Sequence, residues 1–127
     1  MSQSNVVRLD SRSNAPAAWQ TLCSRADLVA NSGVVAWHDG AQVALFHLPD
    51  NADGEQLFAI ENRDPKSGAN VIGRGIVGSL KGELVIASPL YKQHFDLRSG
   101  ECLEDPALSV RAYAVRLELD RVLLAAA

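Results

Sequence analysis

Few side chains in this sequence could hold a metal or act as a nucleophile, and they are scattered: three histidines, His38, His47 and His94, and two cysteines, Cys23 and Cys102. No two of them stand in ligand spacing. Neither cysteine belongs to a C-x-x-C pair, so the pattern is not that of a zinc site or a disulfide framework. Both cysteines are expected as reduced thiols, buried or half-buried as small hydrophobes. Ser88 has no histidine and acid in a local motif, and naming His94 as its base would be arbitrary, so a serine-hydrolase chemistry is set aside. Gly73, Gly75 and Gly78 spell G-x-G-x-x-G, but a dinucleotide fingerprint must follow a strand and open a helix. Strand and turn follow here instead, so nicotinamide-dinucleotide binding at this string is rejected.

Whatever positions these residues must fit in one domain, because the chain has 127 residues and domains commonly run to roughly 100–200. Hydrophobic residues make up 47% of the chain, enough for a core of its own. The net charge of -3 leaves no basic footprint for phosphates, which argues against nucleic acid. No stretch approaches the ~20 apolar residues of a membrane span, and the N-terminal MSQSNVVRLDSRSNAPAA lacks the apolar centre of a secretion signal. A cytoplasmic location is expected. Residues 1–17, rich in Ser, Asn, Arg and Ala, read as a flexible tail ahead of a single domain over 18–127.

Short apolar segments punctuated by turn residues organise that domain. Trp19 to Cys23 reads as a strand, and Ser24 to Ala30, with a serine cap, as one or two helical turns. Gly33 to Leu48 is the best hairpin, turning at His38-Asp39-Gly40, where Asp-Gly supplies positive φ. Leu57 to Ile60 is a further strand after the loop Asp50 to Gly54. Ile76-Val77 and Leu84 to Ile86 flank a turn at Ser79-Leu80-Lys81-Gly82; Phe95 to Leu97 and Cys102-Leu103 flank Arg98-Ser99-Gly100-Glu101. An alternating segment from Val110 to Leu119 precedes a turn at Asp120-Arg121 and a closing Val122 to Leu124. Many short strands predict an all-β sandwich or small barrel. No internal repeat is visible, and Trp19 and Trp37 are expected in the core or at its edge.

The segment Asn62 to Cys102 resembles the Rieske fold. A Rieske domain carries C-x-H in one loop and C-P-x-H-G in a second, followed by an aromatic-Asp-Leu strand and a turn ending in Gly. Here Ser88-Pro89-Leu90-Tyr91-Lys92 occupies the second loop, then Phe95-Asp96-Leu97 and Ser99-Gly100. In that register Asn62 and Asp64 fall at the first ligand pair, Ser88 and Tyr91 at the second. A Rieske [2Fe–2S] centre needs two thiolates and two imidazoles; none of the four positions offers either. The resemblance therefore implies a Rieske-type all-β sandwich, with a smaller inserted subdomain at about 62–102, no cofactor and no bound metal.

Among Rieske relatives the chain is most similar to the small subunits of assimilatory NAD(P)H-dependent nitrite reductase. The similarity rests on Ala44-Leu45-Phe46, Asn62-x-Asp64-Pro65, Arg74-Gly75-Ile76-Val77, Ser88-Pro89-Leu90-Tyr91-Lys92-Gln93 and Gly100-x-Cys102-Leu103-Glu104-Asp105-Pro106, spanning about Trp19 to Leu124. It implies a subunit with no catalytic residues, docked on a large subunit whose siroheme, iron–sulfur centre and flavin reduce nitrite to ammonia. The competing possibilities are a Rieske-type [2Fe–2S] ferredoxin and a free-standing binding module. Rigid loop tips suit docking because little order is lost on binding, which nominates Arg63, Arg74, Pro89, Tyr91 and Lys92 for the partner interface. Arg63 or Arg74 is expected to pair with Asp64, and polar contacts among Asn62, Asp64, Ser88 and Arg74 to staple the loops in place of a cluster. Glu101, Glu104 and Asp105 read as a solvated acidic face.

Overall fold

The computed structural model describes residues 18–90 and 92–125; the expected tail and Tyr91 lie outside them. The strands are β1 Trp19–Ser24, β2 Gly33–His38, β3 Ala41–Leu48, β4 Gln56–Glu61, β5 Ile76–Leu80, β6 Glu83–Ala87, β7 His94–Asp96, β8 Ala112–Tyr113, β9 Val115–Glu118 and β10 Arg121–Ala125. They form three antiparallel sheets in the orders β1-β10-β9, β2-β3-β4-β8 and β5-β6-β7. The β5–β7 sheet lies in sequence between β4 and its sheet neighbour β8. The expected all-β class is what the structure shows.

The central strands of the middle sheet, β3 and β4, are buried on both faces, and strand alternation decides which residue goes where. Ala44, Phe46 and Leu48 of β3, with Phe58 and Ile60 of β4, pack with Ile72, Ile86, Phe95, Leu97 and Cys102 toward the β5–β7 sheet. Val43, Leu45 and Ala59 point the other way, onto Val122 and Leu124 of β10. That sandwiching explains why β3 is apolar almost throughout rather than alternating. Two tight turns use left-handed backbone: Asp39 and Gly40 have φ of 49° and 80°, and Lys81 and Gly82 have φ of 53° and 82°. These conformations match the right-handed twist of the strands they join.

Several expectations change. Ser79 and Leu80 belong to β5, so that turn is the Lys81–Gly82 pair alone. The turn after β9 is centred on Leu119, with φ 57°, and Asp120 rather than on Asp120-Arg121. The alternating segment Val110 to Leu119 serves two sheets: the chain leaves the middle sheet at β8 and joins β10 at β9, with Ala114 between them. The helical segment shrinks to one 3-10 turn, Arg25–Asp27, where Asp27 Oδ2 accepts from the Ser24 backbone N–H at 2.9 Å. Two further 3-10 turns, Ile72–Arg74 and Pro106–Leu108, were not legible from periodicity.

Trp37 is not a core residue; it is 67% exposed. Val34 and Ala36 of β2 turn inward against the β10 side, which sends Val35 and Trp37 to the opposite face. Gly73 packs against one side of Val35, since a Cβ there would lie 2.9 Å from Val35 Cγ2, and leaves Val35 half exposed and Trp37 more so. Trp19 sits at the core edge, half-buried beneath the Arg116 guanidinium at 4.5 Å from the ring centroid.

Candidate functional site: two stapled loops

Loop 1, residues 62–75, joins β4 to β5, and loop 2, residues 88–93, joins β6 to β7. Asp64 builds loop 1. Its Oδ1 accepts from the backbone N–H of Lys66 at 2.8 Å and of Ser67 at 3.2 Å, its carbonyl accepts from Gly68 N–H at 2.7 Å, and its own N–H donates to Ala69 O at 2.8 Å. This is the local turn chemistry that aspartate favours, with Pro65 supplying the fixed φ that follows it. The same pattern recurs after β7. Asp96 Oδ1 accepts from Arg98 and Ser99 at 2.7 and 3.2 Å, Gly100 N–H returns to Asp96 O at 2.7 Å, and Asp96 N–H donates to Glu101 O at 2.8 Å. Asp64-Pro65-Lys66-Ser67-Gly68 and Asp96-Leu97-Arg98-Ser99-Gly100 are thus one turn used twice, a short repeat that sequence inspection passed over.

Asp64 goes further than Asp96. Its second oxygen, Oδ2, accepts the Ser88 hydroxyl at 2.5 Å, tying loop 1 to loop 2. Asp64 is fully buried and Ser88 is 1% exposed, so this charge-assisted bond is shielded from water. Asn62, equally buried, fastens the base of loop 1: Nδ2 donates to Gln42 Oε1 at 2.9 Å, and Oδ1 accepts from Gly73 N–H at 2.7 Å. The expected polar staple therefore exists among Asn62, Asp64 and Ser88, through turn and backbone partners. Its expected arginine does not take part. Among the described residues no ion pair joins Asp64 to Arg63 or Arg74, because the backbone amides and Ser88 already occupy the carboxylate, and both guanidiniums lie in the exposed shell.

Loop 2 is short and closed on itself, with Ser88 N–H donating to Gln93 O at 2.8 Å and Lys92 N–H to Ser88 O at 3.0 Å. Lys92 stands where the Rieske motif has glycine, yet keeps a left-handed φ of 61°. Beside it Gln93 is 7% exposed, and both its amide atoms lack a hydrogen-bond partner. Pro89 and Lys92 are exposed.

Two glycines of the G-x-G-x-x-G string, Gly73 and Gly75, have packing roles, whereas a Cβ at Gly78 would meet nothing within 4 Å. A Cβ at Gly75 would come within 2.1 Å of Ala87 O, so only glycine lets β5 start against β6. A strand follows, not a helix, which removes the dinucleotide possibility. The hydrolase possibility fails geometrically as well. Ser88 spends its proton on Asp64, while His94 Nδ1 lies 2.6 Å from Glu104 Oε2. Glu104 is thus engaged rather than merely solvated; its partial burial is outweighed by hydrogen bonds from His94, which hold its carboxyl below the usual range. Asp105 caps the Pro106–Leu108 turn through Ala107 N–H at 3.1 Å. Both cysteines are free, Cys102 buried and Cys23 half-buried; burial first, then nearby Asp27, pushes the Cys23 thiol up and makes it a poor nucleophile.

Does this junction fit an iron–sulfur cluster? It does not. Asn62, Asp64 and Ser88 offer an amide, a carboxylate and a hydroxyl, and Tyr91 a phenol; none is a thiolate or imidazole. The three described side chains are also committed to protein partners. Among the described residues no group of three His, Cys, Asp or Glu side chains converges as a metal ion would need.

Residues 18–125 match the Rieske-like [2Fe-2S] domain family. The nitrite reductase (NADH) small subunit of Salmonella typhimurium is 44% identical over 100 residues, covering 79% of this chain and 90% of that protein. The chain belongs to the nitrite reductase small subunits of the Rieske-like family. The solution structure of the nitrite reductase [NAD(P)H] small subunit from Erwinia carotovora superposes with a TM-score of 0.71 at 42% identity, covering 86% of this chain and 82% of that one. The nitrite reductase [NAD(P)H] large subunit of Klebsiella oxytoca is 36% identical over 104 residues, which is 82% of this chain but 10% of that protein. A small-subunit-like segment is thus carried within a large-subunit polypeptide. No helix among the described residues is long and apolar enough to cross a membrane.

Proposed function

We propose that this chain is a non-catalytic small subunit of assimilatory NAD(P)H-dependent nitrite reductase, acting in the cytoplasm by docking on the large subunit. The observation that carries docking is the Klebsiella protein, where a domain 36% identical to this one shares a polypeptide with the large subunit. Covalent linkage gives two surfaces a high effective concentration for each other; a separate chain of the same kind must make the contact through its surface alone. The reduction of nitrite to ammonia, with siroheme, an iron–sulfur centre and flavin, resides on the large subunit in this proposal. The small subunit supplies a rigid, cluster-free scaffold whose loop tips, including Arg63, Arg74, Pro89, Tyr91 and Lys92, meet the partner.

The alternative of a Rieske-type ferredoxin finds no support in the donor set at the loop junction. Co-expression with the large subunit tests the proposal: the two chains are expected to co-purify, and nitrite reduction measured with and without this chain should differ. Failure to co-purify would refute it. Reconstitution with ferrous iron and sulfide is expected to leave the isolated chain colourless, and a bound cluster with visible absorption would restore the ferredoxin alternative.

A further inference from the structure

Loops 1 and 2 carry an unusual charge distribution for a chain with a net charge of -3. Their one acid, Asp64, is buried in the staple, whereas Arg63, Lys66, Arg74 and Lys92 are all exposed. Among the described residues no carboxylate pairs with Arg63, Arg74 or Lys92. Three exposed cations, Arg63, Arg74 and Lys92, that no carboxylate among the described residues pairs with, on a chain of the opposite net sign, suit a partner that supplies the acidic groups.

The same region exposes large apolar side chains that a monomer has no reason to display together. Trp37 and Ile76 are 67% and 77% exposed, and Val35 and Leu90 about half exposed. They are connected through the fold. Trp37 and Val35 share the face of β2 turned away from β10, Gly73 of loop 1 rests against Val35, and Ile76 follows two residues after Arg74. Ile76 pairs with Ala87 in the ladder, and Leu90, three residues beyond Ala87, donates its N–H to Ser88 Oγ at 3.4 Å. A cleft of about 230 Å³ opens beside Trp37, lined by Gln42, Glu61, Arg63 and Asn70. That is below the size of most small-molecule pockets and suits one inserted side chain.

We propose that this face, centred on Trp37 and Ile76 and rimmed by Arg63, Arg74 and Lys92, seats on the large nitrite reductase subunit against an apolar patch with an acidic border. The inference rests on the subunit function proposed above and refines it: the centre lies on the flank of loop 1, and the loop 2 tip forms the border. An aromatic anchor beside a cleft, enclosed by charges that steer and orient, is the arrangement that concentrates binding energy in a few residues. The stapled loops make it rigid before contact, so little order is lost on docking.

The test is the affinity of purified large subunit for this chain and four variants: Trp37→Ala, Ile76→Ser, the triple Arg63→Glu/Arg74→Glu/Lys92→Glu, and Leu119→Ser. Leu119 is a matched exposed control near Arg25, whose Nε donates to its carbonyl at 3.3 Å. Arg25 in turn pairs with Glu55 at the His47 end of β3, about 17 Å along the strand from Gln42. Each single face variant is expected to weaken binding about tenfold or more, the triple more than either, and Leu119→Ser by less than about twofold. Raising salt should weaken wild type but strengthen the triple variant, whose three glutamates are repelled by the acidic border until salt screens them. Thermal unfolding of every variant checks that the fold is intact. Wild-type affinity in all three face variants, or a loss confined to Leu119→Ser, would overturn the assigned face while leaving the subunit function standing. Absence of wild-type binding would overturn both. Self-association of the isolated chain that the triple variant abolishes would assign the face to a second copy and refute the proposal.

Discussion

Replacing Ser88 by alanine removes one oxygen, which donates to Asp64 and accepts a long 3.4 Å bond from Leu90 N–H, and asks whether the inter-loop bond to Asp64 holds the two loops together. In the wild type Asp64 Oδ2 accepts that hydroxyl at 2.5 Å in a fully buried site, while Oδ1 is engaged by the loop 1 amides. The variant keeps the turn but leaves Oδ2 without its donor. Losing a hydrogen bond to a buried charged group costs about 1.5–3 kcal/mol, so about 2 kcal/mol is the expected destabilisation. With unfolding entropy of about 2.1 cal/mol/K per residue over residues 18–125, that corresponds to a fall in Tm of roughly 9 °C. Urea unfolding followed by tryptophan fluorescence and thermal scanning both measure it. Ser79→Ala, at an exposed position of β5, is the control and should stay within about 0.5 kcal/mol of wild type. In a double-mutant cycle, Asp64→Ala and Ser88→Ala should be non-additive by about 1 kcal/mol or more, because both remove the same bond. A Ser88→Ala protein as stable as the control would refute the staple.

Asn62→Ala leaves Gly73 N–H and Gln42 Oε1 unpaired and should cost about 2–3 kcal/mol in the same urea assay. Gln93→Met acts in the other direction: both amide atoms of Gln93 are buried without partners, so an apolar side chain of similar volume should raise stability by about 1 kcal/mol, and a fall in Tm would contradict this. Glu55 is held below its ordinary value by the hydrogen bond to His47 first, then by Arg25. A carboxyl depressed in the folded state stabilises above its unfolded pKa and loses that contribution as pH falls through the folded value. Glu55→Gln should therefore have a lower Tm than wild type near about pH 6, and the two curves should converge below about pH 4; a gap independent of pH would show that the charge is not responsible.

The class of fold was legible because its signals are local. Asp39-Gly40 closes the β2–β3 hairpin where an Asp-Gly pair demands a turn, and the short apolar runs at Leu57 to Ile60 and Leu84 to Ile86 fall within β4 and β6. Trp37 was misplaced because its exposure depends on how far loop 1 reaches across an edge strand, which has no trace in the neighbouring residues. The arginine expected on Asp64 was wrong for a related reason. Backbone amides inside the turn claimed the carboxylate first, and only the matching Asp-x-Lys/Arg-Ser-Gly string at Asp96 could have revealed it.

By itself the sequence determined the chemistry that the loop junction can and cannot perform: Asn62, Asp64, Ser88 and Tyr91 contain no atom that grips iron as thiolate or imidazole, wherever the chain places them. Side-chain identity is a covalent fact and needs no fold. Tertiary structure decided what those residues do instead. Ser88 is 24 positions from Asp64, and the bond between them exists because β4, β6 and β7 bring two loops to one end of the core and exclude water there. It also decided which side chains were left outside, Trp37 and Ile76 among them, since burial depends on contacts between distant segments rather than on residue type.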